Sequence, residues 1–204
     1  MMLYNAPDPA PNPRRVRIFL AEKGVEIPTT DLSIPASEHR SEAFLARNSL
    51  GQLPALELDD GTVIAESISI CRYFEDLFPE PSLFGHTPLE RATIDMWLRR
   101  VEFVLMGPVG MVWLHVHPFT AALGTQYKYF GEASRARARN ALEWFDAVLA
   151  ERNYLAGKYF SIADIVLLTT IDFAHFIRLG MPQSLMNLDS WYRRVAARPS
   201  TSTC

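Results

Sequence analysis

Glu66 and Ser67 stand side by side where a short apolar run, Thr62 to Ala65, gives way to a helical pattern. A helix start leaves N–H groups without intrahelical partners, and these favour an anion. The same two residues also suit local structure: a serine there can be an N-cap, and a glutamate can complement the helix dipole. Upstream, Asn48-Ser49-Leu50-Gly51-Gln52-Leu53-Pro54 turns into an apolar strand with proline at its first position. Proline has no N–H for a ladder and is confined to strand starts, edges and bulges. The backbone beside Pro54 is thereby left free to bond something else. A third polar group, Asn12 before Pro13, lies at the end of a proline-rich loop and reads as a helix start, with Asn as N-cap and proline at the first helical position.

These residues need a frame, and the pattern supplies one. Met1 to Asn5 reads as a strand, and Ala6 to Pro13 as a stiff extended loop with four prolines in eight residues. Val16, Phe19 and Leu20 have helical spacing, closed by Lys23-Gly24 as cation and C-cap glycine. Ile27 to Ile34 reads as a second strand and Ser41 to Arg47 as a short helix with Phe44 and Leu45 inward. Asp59-Asp60-Gly61 suits a tight hairpin, since Asp and Gly tolerate positive φ. Ile70, Tyr73, Phe74, Leu77 and Phe78 then mark an amphipathic helix. A parallel strand–helix–strand start with an antiparallel hairpin end indicates a small α/β domain over residues 1–79. Residues 80–86 form a Pro/Gly-bearing linker, and 87–204 are helical in pattern. Thr87-Pro88-Leu89-Glu90 and Ser161-Ile162-Ala163-Asp164 are capping boxes. Gly107-Pro108 is expected to kink or break the helix it interrupts.

Composition excludes several classes. A net charge of -3 leaves no basic footprint for nucleic acid. No apolar run approaches the ~20 residues of a membrane-spanning helix, and no signal peptide is expected. The two cysteines, Cys71 and Cys204, form no CxxC. Such sparse usage fits a reducing cytoplasm and argues against a disulfide framework, a zinc site or a dithiol reductase. Cys71 reads as inert core and Cys204 as a mobile terminus.

Taken in order, Arg15-Val16-Arg17-Ile18, Asn48 with Gln52-Leu53-Pro54, Glu66-Ser67, the linker and the Ser161-x-x-Asp164 box resemble the cytosolic glutathione S-transferases, over essentially the whole chain and closest to bacterial theta/Nu-like members. The resemblance implies a thioredoxin-like N-terminal domain, an all-α C-terminal bundle, a cytoplasmic homodimer, and glutathione as substrate with no metal. It implies a cis Pro54 that presents the Leu53 backbone to glutathione like an added strand. Ser67 then takes the γ-glutamyl carboxylate, Glu66 the ammonium, and Gln52 and His39 the glycine end. His39 equally suits a solvated loop. Relatives often place Ser-Pro or Thr-Pro where this chain has Ala10-Pro11, so the usual hydroxyl is missing and Tyr4 comes too early to replace it. Asn12 is the remaining donor to a thiolate, by resemblance to the Thr-Pro-Asn of Nu-like enzymes, and can be a cap as well. The implied activity is conjugation of glutathione to a hydrophobic electrophile. A glutathione-dependent disulfide reductase and a non-catalytic binding or assembly module stand as alternatives. Phe103, Trp113 and His117 are the candidates for the hydrophobic substrate, with bundle core as the other reading of Phe103 and Trp113 and a loop-proximal polar role as that of His117.

Overall fold

The computed structural model describes residues 1–202, so Cys204 lies outside the described residues. The chain divides into two compact units, one of Met1–Leu83 joined by Pro199–Ser202 and one of Phe84–Arg198.

In the first unit, β1 (Met2–Asn5), β2 (Thr29–Asp31), β3 (Ala55–Glu57) and β4 (Val63–Ala65) form one sheet in the order β2-β1-β3-β4. β1 is parallel to β2 and antiparallel to β3, and β3 is antiparallel to β4. The hairpin closes at Asp59-Asp60-Gly61, where the Leu58 N–H reaches the Thr62 carbonyl at 2.8 Å. Helices α1 (Pro11–Lys23) and α3 (Ser67–Leu77) pack on each other, burying Val16, Phe19, Ile70 and Phe74. The short α2 (Glu42–Leu45) is capped by Ser41, whose Oγ accepts from the Phe44 N–H at 3.3 Å. Gly24 ends α1 in the left-handed conformation, φ 64°, with its N–H and that of Val25 returned to the Ala21 and Leu20 carbonyls.

The amphipathic stripe of α3 is shorter than its spacing suggests. Ile70, Cys71, Phe74 and Glu75 are buried, whereas Leu77 and Phe78 are about half exposed, because the chain leaves the helix at Phe78 before Pro79. Burial pushes the Cys71 thiol up, against the pull of Arg15, which makes it inert core as expected. The end of the unit is held by a buried ion pair: Lys23 Nζ lies 2.6 Å from Glu75 and donates to the Pro81 carbonyl at 2.7 Å, while Glu75 accepts from the Leu83 N–H at 3.1 Å. The described tail differs from the expected domain boundary. Pro199–Ser202, expected with the helical domain, belongs to the first unit, where Ser200 and Thr201 are buried and Ser200 Oγ donates to Glu22 on α1.

The second unit is helical: α4 (Pro88–Arg100), α5 (Gly107–Val116), α6 (Lys128–Leu149), α7 (Ile162–Phe176) and α8 (Met186–Ala196). The expected break at Gly107-Pro108 is absorbed by a π-helical turn, Val101–Met106, between α4 and α5. Pro108 cannot donate to Val104, and the wider turn, in which the Gly107 N–H bonds the Glu102 carbonyl, makes room for its ring. Both capping boxes form. α7 is buried without a break from Ile162 to Ile171, as a nearly all-apolar helix at the centre of a bundle should be.

The second box does more than start a helix. Asp164, wholly buried, accepts from the Leu155 N–H (2.9 Å), the Ser161 N–H (3.1 Å), Ser161 Oγ (3.1 Å) and Trp191 Nε1 (2.9 Å), tying the loop before α7 and the helix α8 to one carboxylate. Burial pushes this carboxyl up to about 6, against the pull of those donors. The folded form therefore takes up a proton as pH falls through about 6, while the unfolded group waits until about 3.9. This site thus gains stability as pH drops from 7 to 5. Relative to Asp164→Asn, which does not titrate, the wild type is expected to gain about 1 kcal/mol over that window in urea unfolding followed by circular dichroism. A constant difference between pH 7 and pH 5 would show that the carboxylate stays charged over that window.

Candidate active site

β1 and β4 both run antiparallel to β3, so they run parallel to each other, and Tyr4, Ala55 and Ala65 are aligned across the three strands. One end of the sheet therefore receives the loop from β1 to α1, the residues entering β3, and the residues leaving β4. Asn12, Leu53-Pro54 and Glu66-Ser67 come from those three segments.

At the exit of β4 the chain turns into α3 within one residue. Glu66 is the N-cap, at φ 68° and ψ 120°, a region that costs a non-glycine residue about 1–3 kcal/mol. Its side chain makes no capping bond and is exposed, while Ser67 is buried at the first helical position. Ser67 is thus not the N-cap. The N–H groups of Ser67, Ile68 and Ser69 precede the first intrahelical donor, Ile70, which bonds the Glu66 carbonyl at 3.0 Å. N–H groups at such a helix start favour an anion.

At the entry to β3 the Leu53–Pro54 peptide is cis. Leu53 lies outside both ladders, which begin at Ala55, so its N–H and carbonyl are not spent on the sheet. Buried Asn48 shapes the turn before it: Nδ2 donates to the Gln52 carbonyl at 2.8 Å and Oδ1 accepts from the Leu50 N–H at 3.3 Å. Gln52 itself is exposed. Gly51, at φ 56°, packs so tightly that a Cβ would sit 2.9 Å from the His39 carbonyl and from Arg40 Nη1. Arg40 Nη1 in turn donates to the Leu50 carbonyl at 2.9 Å. The His39 turn (3-10, Glu38–Arg40) is thereby held against the Leu50–Leu53 segment. Burial first, and then neighbouring Arg40, lower the His39 pKa, so the ring is neutral near pH 7, with Nδ1 buried and without a hydrogen-bond partner among the described residues.

The third segment corrects the expected helix start. α1 begins at Pro11, with Ala10 as N-cap, so Asn12 is the second helical residue and not the cap. Prolines at the first and third helical positions have no N–H, which leaves little for a cap to satisfy. The Asn12 N–H is the one backbone donor between them, and the first backbone bond of the helix is Arg14 N–H to the Ala10 carbonyl, 3.3 Å. Ala10 packs against the apolar cluster of Ala6, Phe44, Leu53 and Ala55. Tyr4 is no substitute for a hydroxyl at this place, because its OH donates to Glu57 at 2.7 Å, a bond that raises its pKa. Arg17, to which the sequence pattern assigns no role at the site, reaches back from α1 to Asn5, Ala6 and Asp8. A loop in which prolines reduce the backbone donors was the signal for such a side chain.

In the helical unit, Trp113 and His117 come together, with ring centroids 4.5 Å apart, beside Phe119, Phe173 and Phe176. His117 Nδ1 accepts from the Phe119 N–H at 3.3 Å, which leaves the proton of a neutral ring on Nε2. Trp113 is half-buried, as a core reading would not require. Phe103 joins no ring in this group and, at 73% exposed, is not bundle core either. It falls on an outward row with Leu89 and Met96, each seven residues from the next. Among the described residues no group of His, Cys, Asp and Glu is arranged to hold a metal, and no helix is long and apolar enough to cross a membrane.

Residues 10–77 match the family model "Glutathione S-transferase, N-terminal domain", and residues 114–199 match "Glutathione S-transferase, C-terminal domain". Over 207 aligned residues the chain is 40% identical to Glutathione S-transferase 2 of Saccharomyces cerevisiae, covering 98% of this chain and 87% of that protein. Among solved structures it is similar to a glutathione S-transferase domain-containing protein of Marinobacter aquaeolei, at TM-score 0.92 and 38% identity over 99% of this chain and 100% of the other. It is also similar to Gtt2 of Saccharomyces cerevisiae, at TM-score 0.90 and 39% identity over 98% of each.

Proposed function

The chain belongs to the glutathione S-transferase family, and from that premise we propose that it forms the glutathione thiolate and transfers it to a hydrophobic electrophile. The thioredoxin-like unit and the helical unit are those of the family fold. The observation that carries this reading is the convergence of three unspent backbone segments on one end of the sheet. Glutathione is a γ-linked tripeptide with a carboxylate at each end, an ammonium group and a central thiol. The N–H groups at Ser67 and the Ser67 hydroxyl take the γ-glutamyl carboxylate, and Glu66 takes the ammonium. Leu53 pairs with the cysteinyl peptide backbone, and Pro54 shapes that edge. Gln52 and the neutral His39 bond the glycine end as donors without net charge.

A free thiol has a pKa near ~8.5, and a helix N-terminus with a hydrogen-bond donor lowers it by about a unit or more. Asn12, within the first turn of α1, supplies that donor through its side-chain amide, and its N–H belongs to the same helix start. The thiolate then attacks an electrophilic carbon, forming a C–S bond as the leaving group departs with the bonding pair. Trp113 and His117, with Phe119 and Phe176, supply aromatic surface for the electrophile. A second reading is favoured by Ala10, which packs on the apolar cluster and stands where the resemblance leads one to expect a serine or threonine: with Asn12 alone, the same thiolate attacks a disulfide, giving a glutathione mixed disulfide and releasing a thiolate. Comparing turnover of an aryl chloride with that of a simple dialkyl disulfide separates the two. In this reading the protein is cytoplasmic, where glutathione keeps thiols reduced. It pairs as a homodimer through the outward row of Leu89, Met96 and Phe103, whose heptad spacing suits packing against a second copy.

Ser67→Ala is expected to weaken retention on immobilised glutathione about tenfold or more, the loss of a hydrogen bond to a charged group. Full retention would move the carboxylate site elsewhere. Asn12→Ala should lower conjugation of 1-chloro-2,4-dinitrobenzene roughly tenfold while the KM for glutathione stays within about twofold; unchanged turnover would reduce Asn12 to a structural residue. Phe103→Arg should convert a dimer to a monomer in sedimentation velocity, and an unchanged mass would set this face aside.

A further inference from the structure

We propose that Arg17 is the positioning residue of the thiol-activating segment: its guanidinium clamps the loop between β1 and α1 and thereby sets where Asn12 stands. The inference rests on the thiol chemistry proposed above.

The loop from Ala6 to Ala10 carries Pro7 and Pro9 and runs into Pro11 and Pro13, so few N–H groups remain for its own carbonyls; the Ala10 N–H bonds the Pro7 carbonyl at 3.3 Å. A loop with so few internal donors leaves carbonyls and side chains to be held from outside. Arg17, only 12% exposed at its side chain, does this from the second turn of α1. Nη1 donates to Asn5 Oδ1 at 2.9 Å and to the Ala6 carbonyl at 2.8 Å, and Nη2 pairs with Asp8 Oδ1. Asn5, itself buried, hands its amide Nδ2 to Asp31 on β2, so the clamp is anchored in the sheet on both strands. The other Asp8 oxygen faces Arg14 Nε at 3.6 Å, two residues beyond Asn12. The fork thus fixes the end of β1 and the middle of the loop, and Asp8 extends it as an ion pair to Arg14 in the first turns of α1. A planar guanidinium bonding three acceptors has a fixed geometry that an ammonium on a flexible stem does not reproduce. A donor amide displaced by a fraction of an ångström loses much of its hold on a thiolate, because hydrogen bonds weaken steeply with distance and angle.

The test uses the absorbance of the glutathione thiolate bound to the full-length protein, titrated against pH, with turnover of 1-chloro-2,4-dinitrobenzene alongside. In Arg17→Met the apparent thiol pKa is expected to rise by about one unit and kcat near neutral pH to fall roughly tenfold, with the KM for glutathione within about twofold, and Arg17→Lys should recover only part of the loss. Asp8→Asn, a change at a more exposed residue that leaves Arg17 in place, should shift the pKa in the same direction by less, and it decides the question should Arg17→Met not fold. If the thiol pKa of the wild type is not depressed, the proposed function fails whatever Arg17 does. A depressed wild-type pKa that stays the same in the folded variants overturns the role of Arg17 and leaves the proposed function standing.

Discussion

Proline has no N–H to donate, and that constraint decides where this chain keeps hydrogen-bonding capacity in reserve. Pro54 precedes β3 and leaves Leu53 outside the sheet. Pro11 and Pro13 reduce the donors at the start of α1 to the Asn12 amide, and in the loop that carries Pro7 and Pro9 the Ala6 carbonyl is served by Arg17. In the helical unit, Pro108 subtracts a donor from a buried helix, and the π-helical turn of Val101–Met106 absorbs the loss. At the sheet the missing donors open a site; inside the bundle they are repaired.

The two units manage polar groups in opposite ways. The first keeps Ser67, Ile68 and Ser69 N–H groups ahead of its helix ladder and tolerates a glutamate at φ 68° to put them there. Such strain persists only where the surroundings over-determine it, and here a strand ends at Ala65 while a helix begins at Ser67. The second unit pairs a buried polar group within its core. Asp164 is acceptable in its core because four donors, from α8, the preceding loop and its own cap, converge on it. A site that must receive a ligand and a core that must exclude water thus call for opposite treatment of the same chemical groups.

Much of the candidate site was legible because its signals are local. Glu66-Ser67 at a strand-to-helix junction, Leu53-Pro54 at a strand start and the Ser161-x-x-Asp164 box each sit within four residues of the structure they specify. Two residues were misplaced by one or two positions. Asn12 had the composition of an N-cap, but Pro11 carries the chain into the helix earlier, and Ser67 follows the cap rather than forming it. Phe103 has the side chain of a core residue, and only the rotation of the helix shows that it points outward.

The amino-acid sequence by itself determined the elements and the family: periodicity, caps and turn residues are read along the chain, where backbone geometry couples near neighbours. Only the tertiary structure decided what is shared across distance. Arg17 clamps Asn5 and Asp8, Gly51 admits the His39 turn, Pro199–Ser202 returns to α1, and Trp191 meets Asp164. Such contacts join residues far apart in sequence or facing across a loop, and no local pattern encodes them. They follow from the directions in which the strands run and from the need of each buried polar group for a partner once water has gone.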